Sequence, residues 1–234
     1  MKNLSIGKAA LLSFGVLTMG CSLNQFRGPA QEEVHTCADK ALIENAEDQD
    51  DQILLREGRG GYLYTFVDKA GSRISPDENH FKMEFGGAPG SKYAIHVKGR
   101  TGTGGEIYAG VGFDFKSTPD TYEAKQWKGL AFSARIKSGS ENHWRFMVGD
   151  VNTDPKGKVC KECDNDWGTP FKPTEEWTRY EVMFTDLKQE EGWGSPHPPA
   201  VDTSKMFGMK WQMATPNAAF DLWVDDVSFV GCPQ

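Results

Sequence analysis

Phe207-Gly208-Met209-Lys210-Trp211-Gln212-Met213 decides the fold, because large apolar residues fill every second position and small or polar ones fall between. A period of two marks a strand with one face in a core and the other turned away from it. The pattern recurs along the chain. Leu130, Phe132, Ala134 and Ile136 form one set, Trp144, Phe146 and Val148 another, then Tyr180, Val182 and Phe184, and finally Leu222, Val224, Val227 and Phe229. Upstream, Tyr62, Tyr64 and Phe66 alternate with Leu63 and Thr65, and Tyr93, Ile95 and Val97 with Ala94 and His96. Tyr108 to Phe115 is an apolar stretch broken by glycine. Turn clusters such as Gly86-Gly87-Ala88-Pro89-Gly90 and Lys137-Ser138-Gly139-Ser140 separate these runs. Only Ala38 to Asn45 and Asp186 to Glu190 read as short helices. Roughly eight to ten strands without long helices predict an all-β fold, a two-sheet antiparallel β-sandwich of jelly-roll type.

Composition agrees. Of 234 residues, 38% are hydrophobic, 25% charged and 12% aromatic, with 26 Gly and 12 Pro, which argues against disorder, coiled coil and a polytopic membrane protein. The net charge of −7 supplies no positive field to gather nucleic acid, and no nucleic-acid partner is expected.

The first twenty residues stand apart. Lys2 and Lys8 precede an apolar run, Ala9 to Leu17, that is shorter than the ~20 residues a bilayer span needs and reads as a signal peptide. Leu17-Thr18-Met19-Gly20-Cys21 is similar to a bacterial lipobox, with Thr18 where Leu is usual, so Cys21 is the expected lipidation site; an ordinary secretory signal is the alternative. By resemblance to the enteric sorting rule, Ser22 rather than Asp after the cysteine leans toward the outer membrane. Without residues 1–20, which carry two lysines and no acid, the charge becomes −9. Glu32 to Asp51 holds eight acids against Lys40, so this segment carries −7 and the remaining body is nearly neutral. The expected division is a signal over 1–20, an acidic tether over 21–37 and one domain over 38–234.

Cys37, Cys160, Cys163 and Cys232 remain. An even number in an exported chain suggests disulfides, of which three connectivities exist. Cys37 with Cys232 would join the domain's ends, worth roughly 4 to 5 kcal/mol in the chain-entropy model, and Cys160 with Cys163 would close a short loop. Zinc or a redox couple is the alternative for Cys160 and Cys163. A structural zinc site wants a second pair of ligands, and a thioredoxin-like motif wants a following helix, whereas Asp154-Pro155-Lys156-Gly157 and Asp164-Asn165-Asp166 are loop chemistry.

Two stretches carry a resemblance. Ile43-Glu44-Asn45-Ala46-Glu47-Asp48 followed by Gly58-Arg59-Gly60-Gly61-Tyr62-Leu63-Tyr64 resembles the opening of a galactose-binding-like jelly roll of the kind found in bacterial carbohydrate-binding modules. Asn152 to Pro155, Asn165 to Gly168, Glu176-Trp177, Gly192-Trp193-Gly194 and Phe220 to Phe229 follow in that family's order, so the likeness spans Leu42 to Phe229. It implies the same fold and a carbohydrate ligand. Asn45-Ala46 and Gln49 stand where a more acidic, Gly-containing opening would be expected.

Alternation proposes a ligand face. With Leu130, Trp144 and Phe207 turned inward, Arg135, Arg145, Lys210 and Gln212 turn outward. Sugars are held by planar donors and carboxylates bridging adjacent hydroxyls and by an aromatic face, so Arg135, Arg145, Asp150, Gln212 and Tyr64 are candidate ligands and Trp167 and Trp193 candidate platforms. The bland reading is solubilising charges and loop-packing Trp. Glu47 and Asp226, near Asp225, are candidate ligands for a structural Ca²⁺, or simply solvated carboxylates. Arg59 either pairs with an acid of the opening segment or reaches the cleft.

Nothing marks a catalytic centre. No Gly-x-Ser-x-Gly elbow occurs, Gly102-Thr103-Gly104-Gly105 and Gly110-Val111-Gly112 lack a following helix, and the five histidines stand singly. The sequence therefore predicts a lipid-anchored, non-catalytic binder of polysaccharide. A jelly-roll lyase or glycoside hydrolase, and a structural envelope protein that binds another protein, are the alternatives.

Overall fold

A computed structural model describes residues 36–77 and 81–232. Cys21, the signal and nearly all of the tether lie outside the described residues. One short helix and twelve strands follow in chain order: α1 (Cys37–Ala41), β1 (Leu42–Glu44), β2 (Leu63–Val67), β3 (Arg73–Ser75), β4 (Glu84–Phe85), β5 (Tyr93–Arg100), β6 (Ala109–Asp114), β7 (Gly129–Ile136), β8 (Trp144–Asp150), β9 (Trp167–Phe171), β10 (Thr178–Met183), β11 (Met206–Met213) and β12 (Ala219–Val230). They form two antiparallel sheets. One runs β10-β7-β12-β5-β3, with β1 on β12 and β4 on β5; the other runs β2-β6-β11-β8-β9.

The helices are shorter than their sequence suggests. Thr36 and Asp39 make a capping box that starts α1, but the chain turns to strand at Leu42 because Leu42 and Glu44 pair with Ser228 and Val227. Over 186–190 there is no α-helix: a 3₁₀ turn covers Phe184–Asp186, and Lys188 then bridges Gly168.

The inward residues of both sheets form one core. At its centre Trp211 meets Phe132 at 5.2 Å and Phe146 at 5.8 Å, and all three are fully buried. Removing such side chains from water supplies about 1.5 to 3 kcal/mol each, the main drive for this pairing of sheets. β12 shows how a 12-residue strand keeps its apolar residues inside. Phe220, Leu222 and Val224 point inward, then a bulge at Asp225 to Ser228 inserts one residue and Val227 and Phe229 take over. Asp226 sits in that bulge at φ 49°, a left-handed conformation that Asp tolerates better than most residues. A similar irregularity between Met206 and Gly208 brings Met206, rather than Phe207, into the core cluster.

Two disulfides close the structure, Cys37–Cys232 across 195 residues and Cys160–Cys163 across three. They suggest an extracellular protein, and no helix of the described residues is long and apolar enough to cross a membrane. Among the described residues Arg59, 4% exposed, pairs with no acid and does not reach a cleft. Its guanidinium donates to the carbonyls of Lys40 and Leu42 and to Tyr122 Oη, and lies 5.5 Å from the ring centres of Tyr122 and Phe229.

Candidate functional site

Strand register arranges the outer face of the five-stranded sheet in rows. One row runs Phe66, Gly110, Gln212, Arg145, Pro170 from β2 to β9; the next runs Tyr64, Gly112, Lys210, Met147, Gly168; a third contains Asp114, Gly208 and Gly149. The glycines are the floor. A Cβ at Gly110 would lie 2.5 Å from the Phe66 ring and one at Gly168 2.6 Å from Arg145 Nε, so both side chains lie low across a neighbouring strand. Arg145 donates from Nη2 to the Lys188 carbonyl at 2.7 Å and sits 3.7 Å from Glu190, while its Nε is buried without a partner among the described residues. Beside it the Gln212 carboxamide is partly exposed, with no protein hydrogen bond among the described residues.

The face is laced with ion pairs. Lys210 Nζ meets Asp166 at 2.7 Å, and Lys156 Nζ meets both Asp114 oxygens, at 2.7 and 2.6 Å, with Asp154 at 3.8 Å. Burial pulls the Lys210 ammonium down, but Asp166, helped by Asp164 and Asp154, outweighs it and holds the ammonium above its usual range. Burial pushes the Asp154 carboxyl up and the Arg145 guanidinium down. Burial and the surrounding carboxylates likewise raise the Tyr64 phenol, so it remains protonated and can donate. Tyr64, Asp114, Asp154, Asp166 and Lys210 line a cavity of about 20 Å³, room enough for one water, where Asp166 Oδ1 is buried without a partner among the described residues.

The structure thus brings together Tyr64, Arg145 and Gln212, and sets Trp193 nearby. Trp193, 42% exposed, donates from Nε1 to Glu190 at 3.1 Å, and Glu190 is the residue beside Arg145. Three candidates fall elsewhere. Asp150 is buried: the parity that turns Trp144, Phe146 and Val148 inward carries on to it, and it accepts from Trp167 Nε1, Asp202 N and Asn152 N. Trp167, 3% exposed and paired with Val148, belongs to the core and is no platform. Arg135 lies on β7, hence on the outer face of the other sheet, with its guanidinium 5.3 Å from the Trp177 ring centre and 4.5 Å from that of Trp223. His96 continues that stack at 3.8 Å, between Glu84 and Asp221. Alternation tells which side of a strand a residue takes, not which sheet the strand joins.

Asp166, Asp114, Lys156 and Phe66 do not stand out as site residues from sequence, and Lys210, which alternation turns outward, is not among the candidate ligands. A signal for part of the floor exists there: Gly110 and Gly112 have the parity opposite Val111 and Phe113, and so face the same way as Tyr64 and Lys210.

At the proposed metal position, Glu47 Oε1 accepts from Ser91 Oγ, Lys92 N and Tyr93 N at 2.7 to 3.0 Å, and these bonds lower its carboxyl. Asp226 is raised, mainly by burial, with the Glu47 charge adding and Arg179 opposing. Among the described residues no three acidic, His or Cys side chains are grouped to hold a metal ion.

No protein-family model and no curated protein matches the sequence. Solved structures do. A family 11 carbohydrate-binding module from Clostridium thermocellum, in complex with a β-1,3-1,4-mixed-linked tetrasaccharide, superposes with TM-score 0.54 at 16% identity, covering 74% of this chain and 90% of that one. The family 30 module of a cellulosomal cellulase of Clostridium thermocellum gives 0.51 at 14% identity, over 79% and 98%. This chain has their fold. An exo-β-agarase also matches, with TM-score 0.51 at 10% identity, but this chain covers only 25% of it.

Proposed function

We propose that the protein binds a polysaccharide without cleaving it, on the outer face of the five-stranded sheet, while held to the outer membrane by a lipid on Cys21. The observation that carries this reading is the row geometry. Gln212 and Arg145 stand directly opposite each other on adjacent strands, next to the row of Tyr64 and Lys210, with Trp193 near one side. Planar donors fixed along one face, with an aromatic ring nearby, suit a chain of hydroxyl-bearing rings. The tetrasaccharide bound by the family 11 module, which shares this fold, supports the same class of ligand.

Absence of cleavage is part of the proposal. Asp114, Asp166 and Glu190 each face a cation of the same surface, and the most strongly raised carboxyls, Glu44 and Asp225, belong to strands of the other sheet. Affinity electrophoresis against plant, algal and bacterial glycans tests the binding: retardation without release of reducing ends or unsaturated products is expected. Failure of every glycan to retard the chain would sink it.

Two further parts have their own tests. Cys21→Ser should move the protein from the membrane to the soluble fraction. A Ca²⁺ bridging Glu47 and Asp226 would relieve the repulsion between their charges, and if it is bound there a chelator should lower Tm by several degrees.

A further inference from the structure

The structure assigns a positioning role to the short loop closed by Cys160 and Cys163: with Asn165 it holds the Trp193 loop as a preset stacking platform, so glycan affinity depends on that disulfide. This rests on the glycan-binding reading above. Trp193 is a large apolar side chain left 42% exposed in a loop, yet its backbone is tied from two sides. From one side, Lys161 N donates to the Ser195 carbonyl at 2.9 Å, Ser195 N to the Glu162 carbonyl at 3.1 Å, and Gly194 N to Glu162 Oε2 at 3.1 Å. From the other, Asn165, 1% exposed, donates from Nδ2 to the carbonyls of Glu190 and Trp193 at 2.9 and 2.6 Å and accepts from Glu190 N at 2.9 Å. Gly194, at φ 85°, lies so close that a Cβ there would sit 2.6 Å from that of Asn165.

That loop lies at the surface. Val159, Lys161 and Glu162 are exposed, and a bridge across three residues restrains the unfolded chain far less than one across 195. What the bridge does fix is the local backbone that offers Glu162 and Lys161 to the Trp193 loop. Asn165 adjoins Asp166, which holds Lys210, so the clamp continues into the binding face. A ring held in place before the ligand arrives loses less freedom on binding, which is where the affinity comes from.

The test compares the full chain with the Cys160→Ser/Cys163→Ser, Glu162→Ala and Trp193→Ala variants. Hydrogen exchange over residues 190–196 and affinity electrophoresis in mixed-linkage β-1,3-1,4-glucan, or in whichever glycan of the panel retards the wild type, are the two measurements. The double cysteine variant should keep the exchange of the core strands, exchange faster over 190–196, and bind roughly two- to tenfold more weakly. Adding Trp193→Ala to it should cost less than Trp193→Ala costs alone. Unchanged exchange over 190–196 overturns the inference, as does a loosened loop with wild-type affinity. If the wild type binds no glycan, the functional reading falls and takes this role with it; if wild type and cysteine variant bind alike, only the positioning role falls.

Discussion

Lys210 Nζ and Asp166 Oδ2 meet at 2.7 Å in the middle of the five-stranded sheet, with side chains only 16% and 5% exposed. Breaking a buried pair from one side strands the other charge, a cost of about 3 to 5 kcal/mol. Asp166→Asn should therefore lower stability by about 3 kcal/mol in urea unfolding. Lys210→Met together with Asp166→Asn should recover much of that loss without recovering glycan affinity. If the double variant is as unstable as Asp166→Asn, the pair is not what stabilises this face.

Gln212 and Arg145 face each other across β11 and β8, and each has polar atoms without a partner among the described residues. Losing one hydrogen bond to a neutral ligand costs about 1 kcal/mol, so Gln212→Ala should weaken glycan binding roughly fivefold at unchanged Tm. Arg145→Ala should weaken it by about tenfold or more and also cost some stability, because Arg145 anchors the Lys188 carbonyl. Titration calorimetry reads both; wild-type affinity in both variants would move the site off this face.

Arg135 provides the contrast. It is wedged between Trp177 and Trp223 on the opposite face, where cation–π contacts contribute about 0.5 to 2 kcal/mol. Arg135→Ala should cost about 1 to 2 kcal/mol of stability and leave glycan affinity within about twofold of wild type. Arg135→Lys should recover only part, since an ammonium does not stack as a planar guanidinium does. A loss of binding in Arg135→Ala without loss of stability would place a ligand on the seven-stranded sheet instead.

The fold was legible because the alternation is strict: even the shift of parity in β12, from Leu222 and Val224 to Val227 and Phe229, is written in the sequence and becomes the bulge at Asp226. The site was legible only within a strand. Parity puts Arg145 and Gln212 outward, but whether β7 or β8 adjoins β11 depends on chain crossings that no local pattern encodes, and so parity alone cannot tell that Arg135 faces out from the other sheet. Asp150 and Trp167 show a second limit. Both look like sugar ligands as isolated residues, yet each satisfies the other inside the protein at 3.1 Å.

Glu44 sets the dependence on pH. It is 1% exposed, and burial pushes its carboxyl up to about 8, with Asp48 adding and the N–H groups of Ala46, Asn45 and Leu54 opposing. Burial likewise pushes Asp225 up to about 6, against the Ala88 N–H and with repulsion from Asp226. For both groups the folded value lies above the unfolded one, 4.5 and 3.8. Their contribution to stability is therefore complete below the unfolded values and is lost as pH rises through about 6 and then 8. At about 1.4 kcal/mol per pH unit, Glu44 accounts for several kcal/mol by pH 9. On the acid side Asp68 acts in the other direction. Burial acts upward on it, but bonds from Ser72 Oγ and the N–H groups of Tyr108, Ser72 and Ala70 hold it low, so protonating it at low pH removes stability. Tm should be highest in mildly acidic buffer and fall toward pH 9, and Glu44→Gln should flatten the alkaline limb while leaving the acid limb in place. A Tm in Glu44→Gln that declines above pH 6 as steeply as in wild type would assign the alkaline loss to another group.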